Sequence, residues 1–161
     1  MRARRLATAL SAVAVVAGMT ACEKPTPLVS VVSGTSSVDA QAGTYCFEGQ
    51  DINKPPGTAG ACRVAAGAQP AKLEVRRGKS VGIDVSKMIA DKGWRVVLKG
   101  SGTPDPATGT RADEQTDVLD EHYFTFTPNV SSNLQVEVYS LESDAQDAKV
   151  TGVWQFELVP S

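Results

Sequence analysis

The chain has 161 residues, 42% of them hydrophobic and 21% charged, and a formal net charge of −2. That length suits one domain with a full core, and the acidic balance argues against a nucleic-acid partner and against electrostatic adhesion to anionic lipid. The charge is unevenly spread, since the first five residues hold Arg2, Arg4 and Arg5 and no acid.

Residues 6–18 follow as a run of Ala, Val, Leu and Gly broken by one Thr and one Ser. A basic segment ahead of an apolar stretch of this length reads as a secretory signal peptide. It falls short of the ~18–20 apolar residues that a membrane-spanning helix needs. The run ends in Met19-Thr20-Ala21-Cys22, small residues directly before a cysteine, which resembles the bacterial lipobox. The reading is a signal peptide over residues 1–21, cleavage before Cys22, and acylation (palmitate or a similar chain) of Cys22. Leu is commoner than Met at the place of Met19. Two or three acyl chains, at ~0.8 kcal/mol per buried CH2, hold a protein stably where one does so only marginally. Arg4-Arg5 hints weakly at twin-arginine export. Cleavage would remove three of the sixteen basic residues and none of the eighteen acids, so the mature chain carries −5.

Three cysteines in an exported chain leave one over. With Cys22 acylated, Cys46 and Cys62 remain as a pair, and an oxidising compartment joins them in a disulfide. A loop of sixteen positions closed this way gains about 3 kcal/mol by the chain-entropy estimate. The spacing is too wide for a redox CxxC pair, and the partners for a cysteine zinc site are missing.

Residues 22–27 form a tether whose Pro25 and Pro27 keep it extended, at most ~17 Å. A single domain is expected over residues 28–161. Residues 28–33 and 38–47 read as strands, with Gly34 turning between them. Residues 47–61 hold Gly49, Pro55-Pro56-Gly57 and Gly60 and read as a loop closed at its neck by the disulfide. Leu73 and Val75 alternate with charged residues, Arg77-Gly78 turns, and Val81, Ile83 and Val85 alternate with Gly82 and Asp84. Ser86 is placed to cap a helical turn through Met88, Ile89 and Ala90 that Gly93 ends. Trp94, Val96 and Leu98 resume the alternation, and residues 100–121 read as a polar loop. Strands follow over 123–127, 134–140 and 150–159, the last with Trp154, Phe156 and Leu158 on one face.

Seven or eight short strands and one helical turn predict an all-β fold, an immunoglobulin-like β-sandwich with Trp94 and Trp154 in its core. The inter-sheet disulfide of true immunoglobulin domains is not expected, because Cys46 and Cys62 both lie in the first part of the chain.

No catalytic, cofactor or metal constellation stands out. His122 is the only histidine, and a serine triad, a copper centre or a histidine zinc site each needs further partners; it reads as a strand-end residue. Asp113, Glu114, Asp117, Asp120 and Glu121 offer carboxylates to calcium but lack EF-hand spacing, so they read as a solvated acidic loop. Arg76, Arg77 and Lys79 read as a solvated hairpin tip, with lipid headgroups as the alternative partner if that end faces a membrane.

The sequence Cys22-Glu23-Lys24-Pro25-Thr26-Pro27-Leu28, the Val/Ser strand after it, the segment Ala90-Asp91-Lys92-Gly93-Trp94 and the closing strand resemble a family of uncharacterised actinobacterial lipoproteins, grouped only as a domain of unknown function. The resemblance implies secretion and lipidation and brings no activity or functional residues. The expectation is a monomeric, non-enzymatic lipoprotein with no cofactor, on the extracytoplasmic face of the cell membrane. It would bind the bilayer through acylated Cys22 and bind or organise an envelope protein or polymer. The alternative is an extracellular protease inhibitor presenting loops 47–61 and 100–121.

Overall fold

A computed structural model describes residues 24–102, 112–128 and 131–161. The expected signal peptide (residues 1–21) and Cys22 lie outside the described residues. The described residues form eleven strands and one helical turn in chain order: β1 (Leu28–Ser33), β2 (Ser36–Gln41), β3 (Thr44–Tyr45), β4 (Arg63–Val64), β5 (Ala71–Val75), β6 (Val81–Val85), α1 (Lys87–Ala90), β7 (Trp94–Lys99), β8 (Glu114–Gln115), β9 (Tyr123–Phe126), β10 (Leu134–Leu141) and β11 (Val150–Pro160). The strands exceed the seven or eight expected because β3, β4 and β8 are two residues each, too short to show as alternation.

One sheet runs β2-β1-β6-β9, and the other runs β4-β3-β11-β10-β7-β8, with β5 also pairing β11. The strands common to immunoglobulin-like sandwiches are recognisable: β1, β6 and β9 on one side face the consecutive β7, β10 and β11 on the other. All strand pairs are antiparallel except β5 with β11, which run parallel from Phe156 opposite Ala71 to Pro160 opposite Val75. β11 therefore holds β3 along its first half and β5 along its second.

The core is where the alternation predicts it. Val29, Val31, Val81, Ile83 and Val85 of one sheet face Val96, Val136, Val138, Phe156 and Leu158 of the other. Trp94 and Trp154 are fully buried, and each satisfies its indole N–H on a backbone carbonyl: Trp94 Nε1 donates to Glu121 O at 2.8 Å, Trp154 Nε1 to Pro27 O at 3.0 Å. Tyr45 packs edge-on against Trp154, with ring centroids 5.9 Å apart.

Four details differ from the sequence reading. Residues 38–47 are not one strand: the chain leaves the first sheet at Ala42-Gly43 and enters the second as β3, with Gly43 N donating to Val153 O at 2.8 Å. Gly82 is buried rather than a spacer on the wet face, because the Tyr123 ring lies across it; a Cβ there would come within 1.9 Å of the tyrosine oxygen. Residues 112–121 are mostly loop, as read, but the loop is pinned along the edge of β7 at a few points. Glu114 and Gln115 pair with Leu98 and Val97, Thr116 N donates to Val96 O, and Leu119 bridges Trp94. Ser86 does precede α1, but its hydroxyl makes no capping bond; its backbone carbonyl accepts from Ile89 and Ala90. Gly93 closes the turn at φ 90°, where a Cβ would press within 3.1 Å of Asp144 Cα.

Candidate functional site

The disulfide forms as expected between Cys46 and Cys62. Its geometry follows from register. Thr44 lies opposite Val64 and Tyr45 opposite Arg63, so the next pair in that ladder is Cys46 opposite Cys62. The bond therefore clamps the mouth of a hairpin within one sheet and does not join the two sheets. Both cysteines are buried.

The loop beyond it is folded on itself rather than extended. Gln50 N bonds Phe47 O, Asp51 N bonds Gly60 O at 2.9 Å, and Thr58 bonds Pro55 O through its hydroxyl at 2.7 Å. Asn53 donates both backbone and side-chain N–H to Asp51 Oδ1, and the backbone bond is the main cause holding that carboxyl below the usual range.

This loop shares one end of the sandwich with the entering chain. Arg63 Nη1 donates to Lys24 O at 3.4 Å, the Lys24 ammonium stands 5.6 Å from the Phe47 ring centroid, and Trp154 holds Pro27. The start of β1, the end of β6 and α1 belong to the same end, since Val29 pairs with Val85. Tyr45 OH reaches the Met88 sulfur at 3.5 Å, and its ring meets Phe47 at 5.1 Å.

The opposite end carries the turn at Gly34-Thr35 and the turn of Arg76, Arg77 and Lys79. Ser33 Oγ donates to Ser80 O and Ser161 N to Val75 O there. An open groove of about 610 Å³ lies between these turns, lined by Ser33–Ser36 hairpin residues with Glu74, Arg76, Lys79 and Ser161. The basic tip thus stands a strand length, on the order of 20 Å, from the end where residues 24–27 enter.

The outer face of the second sheet bears a charged network. Lys99 Nζ lies 2.8 Å from Asp113 Oδ2 and 3.2 Å from Glu137 Oε2; Glu137 also accepts from Tyr139 OH and, at 2.9 Å, from Gln155 Nε2. Burial pushes the Glu137 carboxyl up, but the hydrogen bonds from Tyr139, Gln155 and Lys99 outweigh it and hold it low. Tyr139 is pushed up to about 12, by burial first and then by its bond to Glu137. Lys99 is raised, chiefly by its bond to Asp113. Each group is held in its charged or hydrogen-bonded ground state, so the network braces the sheet. Nothing in the sequence singled it out, because its members alternate as ordinary outward residues.

The five acidic residues of 113–121 are not gathered. Asp113 is spent on Lys99 and Gly100 N, Glu114 accepts from Ser101, and Asp117, Asp120 and Glu121 are exposed loop residues. Among the described residues no three metal-capable side chains converge. His122 is the residue before β9; its backbone carbonyl accepts from Val85 N at 2.9 Å and its Nδ1 lies 3.4 Å from Val85 O.

The fold and these two ends define an immunoglobulin-like sandwich with a disulfide-clamped loop beside the entering chain. No family model, no curated protein and no solved structure matches the chain.

Proposed function

We propose that the protein is an extracytoplasmic lipoprotein, anchored in the cell membrane by acylated Cys22, that serves as a non-catalytic binding module of the cell envelope. The likeness to the actinobacterial lipoproteins belongs to the same reading. The observation that carries it is the Cys46–Cys62 bond. It uses two of three cysteines as an oxidising compartment would, and leaves Cys22, the residue after Met19-Thr20-Ala21, as the odd one. Replacing Cys22 by Ser should release the protein from the membrane fraction or stall it as unprocessed precursor. A Cys22→Ser protein that is processed and membrane-bound like the wild type would refute the anchor. Crosslinking on intact cells should then give a discrete adduct of the anchored form.

A protease inhibitor needs a protruding, extended segment to enter an active site. The internal bonds of loop 47–61 bend it back on itself instead, which favours the binding module. Nanomolar inhibition across a protease panel would reverse that preference.

A further inference from the structure

Lys24 stands two residues from Cys22, so their Cα atoms lie at most ~7 Å apart. From Lys24 onward the chain is tied to the domain by Arg63, Phe47 and Trp154. Acyl chains on Cys22 must lie in hydrocarbon, which puts that residue at the hydrocarbon boundary. The polar layer outside it is only about 5–8 Å deep. A domain surface that begins within ~7 Å of such an anchor cannot swing free of the membrane.

A second observation concerns the same end. Four large apolar side chains are conspicuously exposed among the described residues: Leu28 (50%), Val64 (50%), Met88 (49%) and Tyr123 (48%). Leu28 directly follows the docked Pro27, and Met88 sits on α1 beside Tyr45. Val29 pairs with Val85, so Leu28 stands at the strand end next to the start of α1. None of the four belongs to the turns of the opposite end.

Resting on the anchor reading above, we infer that the disulfide-clamped end of the sandwich sits on the lipid surface, with Leu28 and Met88 in the headgroup layer. The end bearing Gly34-Thr35 and Arg76, Arg77 and Lys79 then faces away from the bilayer, and it is the end a partner meets first. Charge does not drive the contact: the mature chain is acidic, and Lys87 at this end is paired with Asp91 at 2.7 Å. The acyl chains supply residence, and the apolar pair supplies orientation.

Met88 makes its own reporter. Met1 and Met19 precede Cys22, so it is the sole methionine of the mature protein. The lipidated protein, purified from membranes with 13C-methyl methionine, is placed in phosphatidylcholine vesicles that carry a headgroup nitroxide. The expected result is loss of the Met88 methyl signal, while the added methyl of a Thr35→Met variant persists. Leu28→Glu/Met88→Gln protein should still float with the vesicles, and its Thr35→Met methyl should now be broadened as the domain, still held close by its short entry, tips over onto the bilayer. Intact mass and flotation test the anchor separately: absence of acyl mass overturns both readings. An acylated, floating protein whose Met88 signal survives overturns the orientation alone. If that survival comes with a doubled mass on crosslinking, a second copy covers the patch instead of lipid.

Discussion

Ser86 holds the position before a helical turn, yet its hydroxyl is buried without a hydrogen-bond partner. A side-chain cap commonly contributes ~1 kcal/mol, whereas a buried hydroxyl with no partner costs about 1–3. Because the hydroxyl makes no capping bond, only the second effect applies, so Ser86→Ala is expected to be neutral or stabilising, by up to about 1–3 kcal/mol, and a thermal melt reads this directly. A loss of 1 kcal/mol or more would show that the cap forms in solution. Glu137 illustrates the opposite case, a partly buried carboxylate with three donors. Its folded pKa is depressed, so the stabilisation it contributes is present above the unfolded value of ~4.3 and is lost as pH falls through the lower folded value. Glu137→Gln should be less stable than wild type at pH 7, and the gap should close as melts are taken from pH 5 towards pH 3. A gap that stays constant over that range would mean the carboxylate's charge is not what the network stabilises.

At the level of elements, the disulfide and the strands can be separated. The β3–β4 hairpin mouth rests on two backbone pairs plus the Cys46–Cys62 bond, and loop 47–61 adds little apolar content. The core of β1, β5, β6, β7, β10 and β11 takes no contribution from either cysteine beyond the neighbouring Tyr45. Cys46→Ala/Cys62→Ala should thus cost on the order of 2–4 kcal/mol, lowering the melting temperature by roughly 6–16 °C while leaving a folded domain. Collapse of the near-ultraviolet spectrum from Trp94 and Trp154 at 25 °C would contradict it. The same contrast explains what the sequence could reveal. Alternation over Leu73-Val75, Val81-Val85, Trp94-Leu98 and Trp154-Leu158 marks strands buried on one face, and there the reading and the structure agree. β3, β4 and β8 are too short to alternate, and β8 is exposed on both residues, so no period distinguishes it from a polar loop. The parallel pairing of β5 with β11 joins positions more than eighty residues apart and leaves no local signal. The disulfide was legible because it rests on counting cysteines, whereas the Lys99–Glu137–Tyr139 network depends on cross-strand register, which is fixed only once β7, β10 and β11 lie together.

For the whole molecule, the last strand is joined to the segment that enters the first. Trp154, on the last strand, holds the carbonyl of Pro27, 127 positions earlier, and Arg63 holds that of Lys24. The entering chain is thereby made part of the domain surface from Lys24 onward. Trp94 offers an internal control, because its indole donates to Glu121 O and has no part in the tether. Both rings are wholly buried, so Trp154→Phe and Trp94→Phe should each cost about 1–3 kcal/mol from lost volume and an unpaired carbonyl. Only Trp154→Phe should loosen the entry. Backbone relaxation at Thr26 is expected to show an order parameter near the ~0.85 of rigid chain in wild type and in Trp94→Phe, falling towards ~0.6 in Trp154→Phe. Equal values at Thr26 in all three proteins would mean that the indole bond does not fix the entering chain, and the proposed orientation on the bilayer would then rest on Leu28 and Met88 alone.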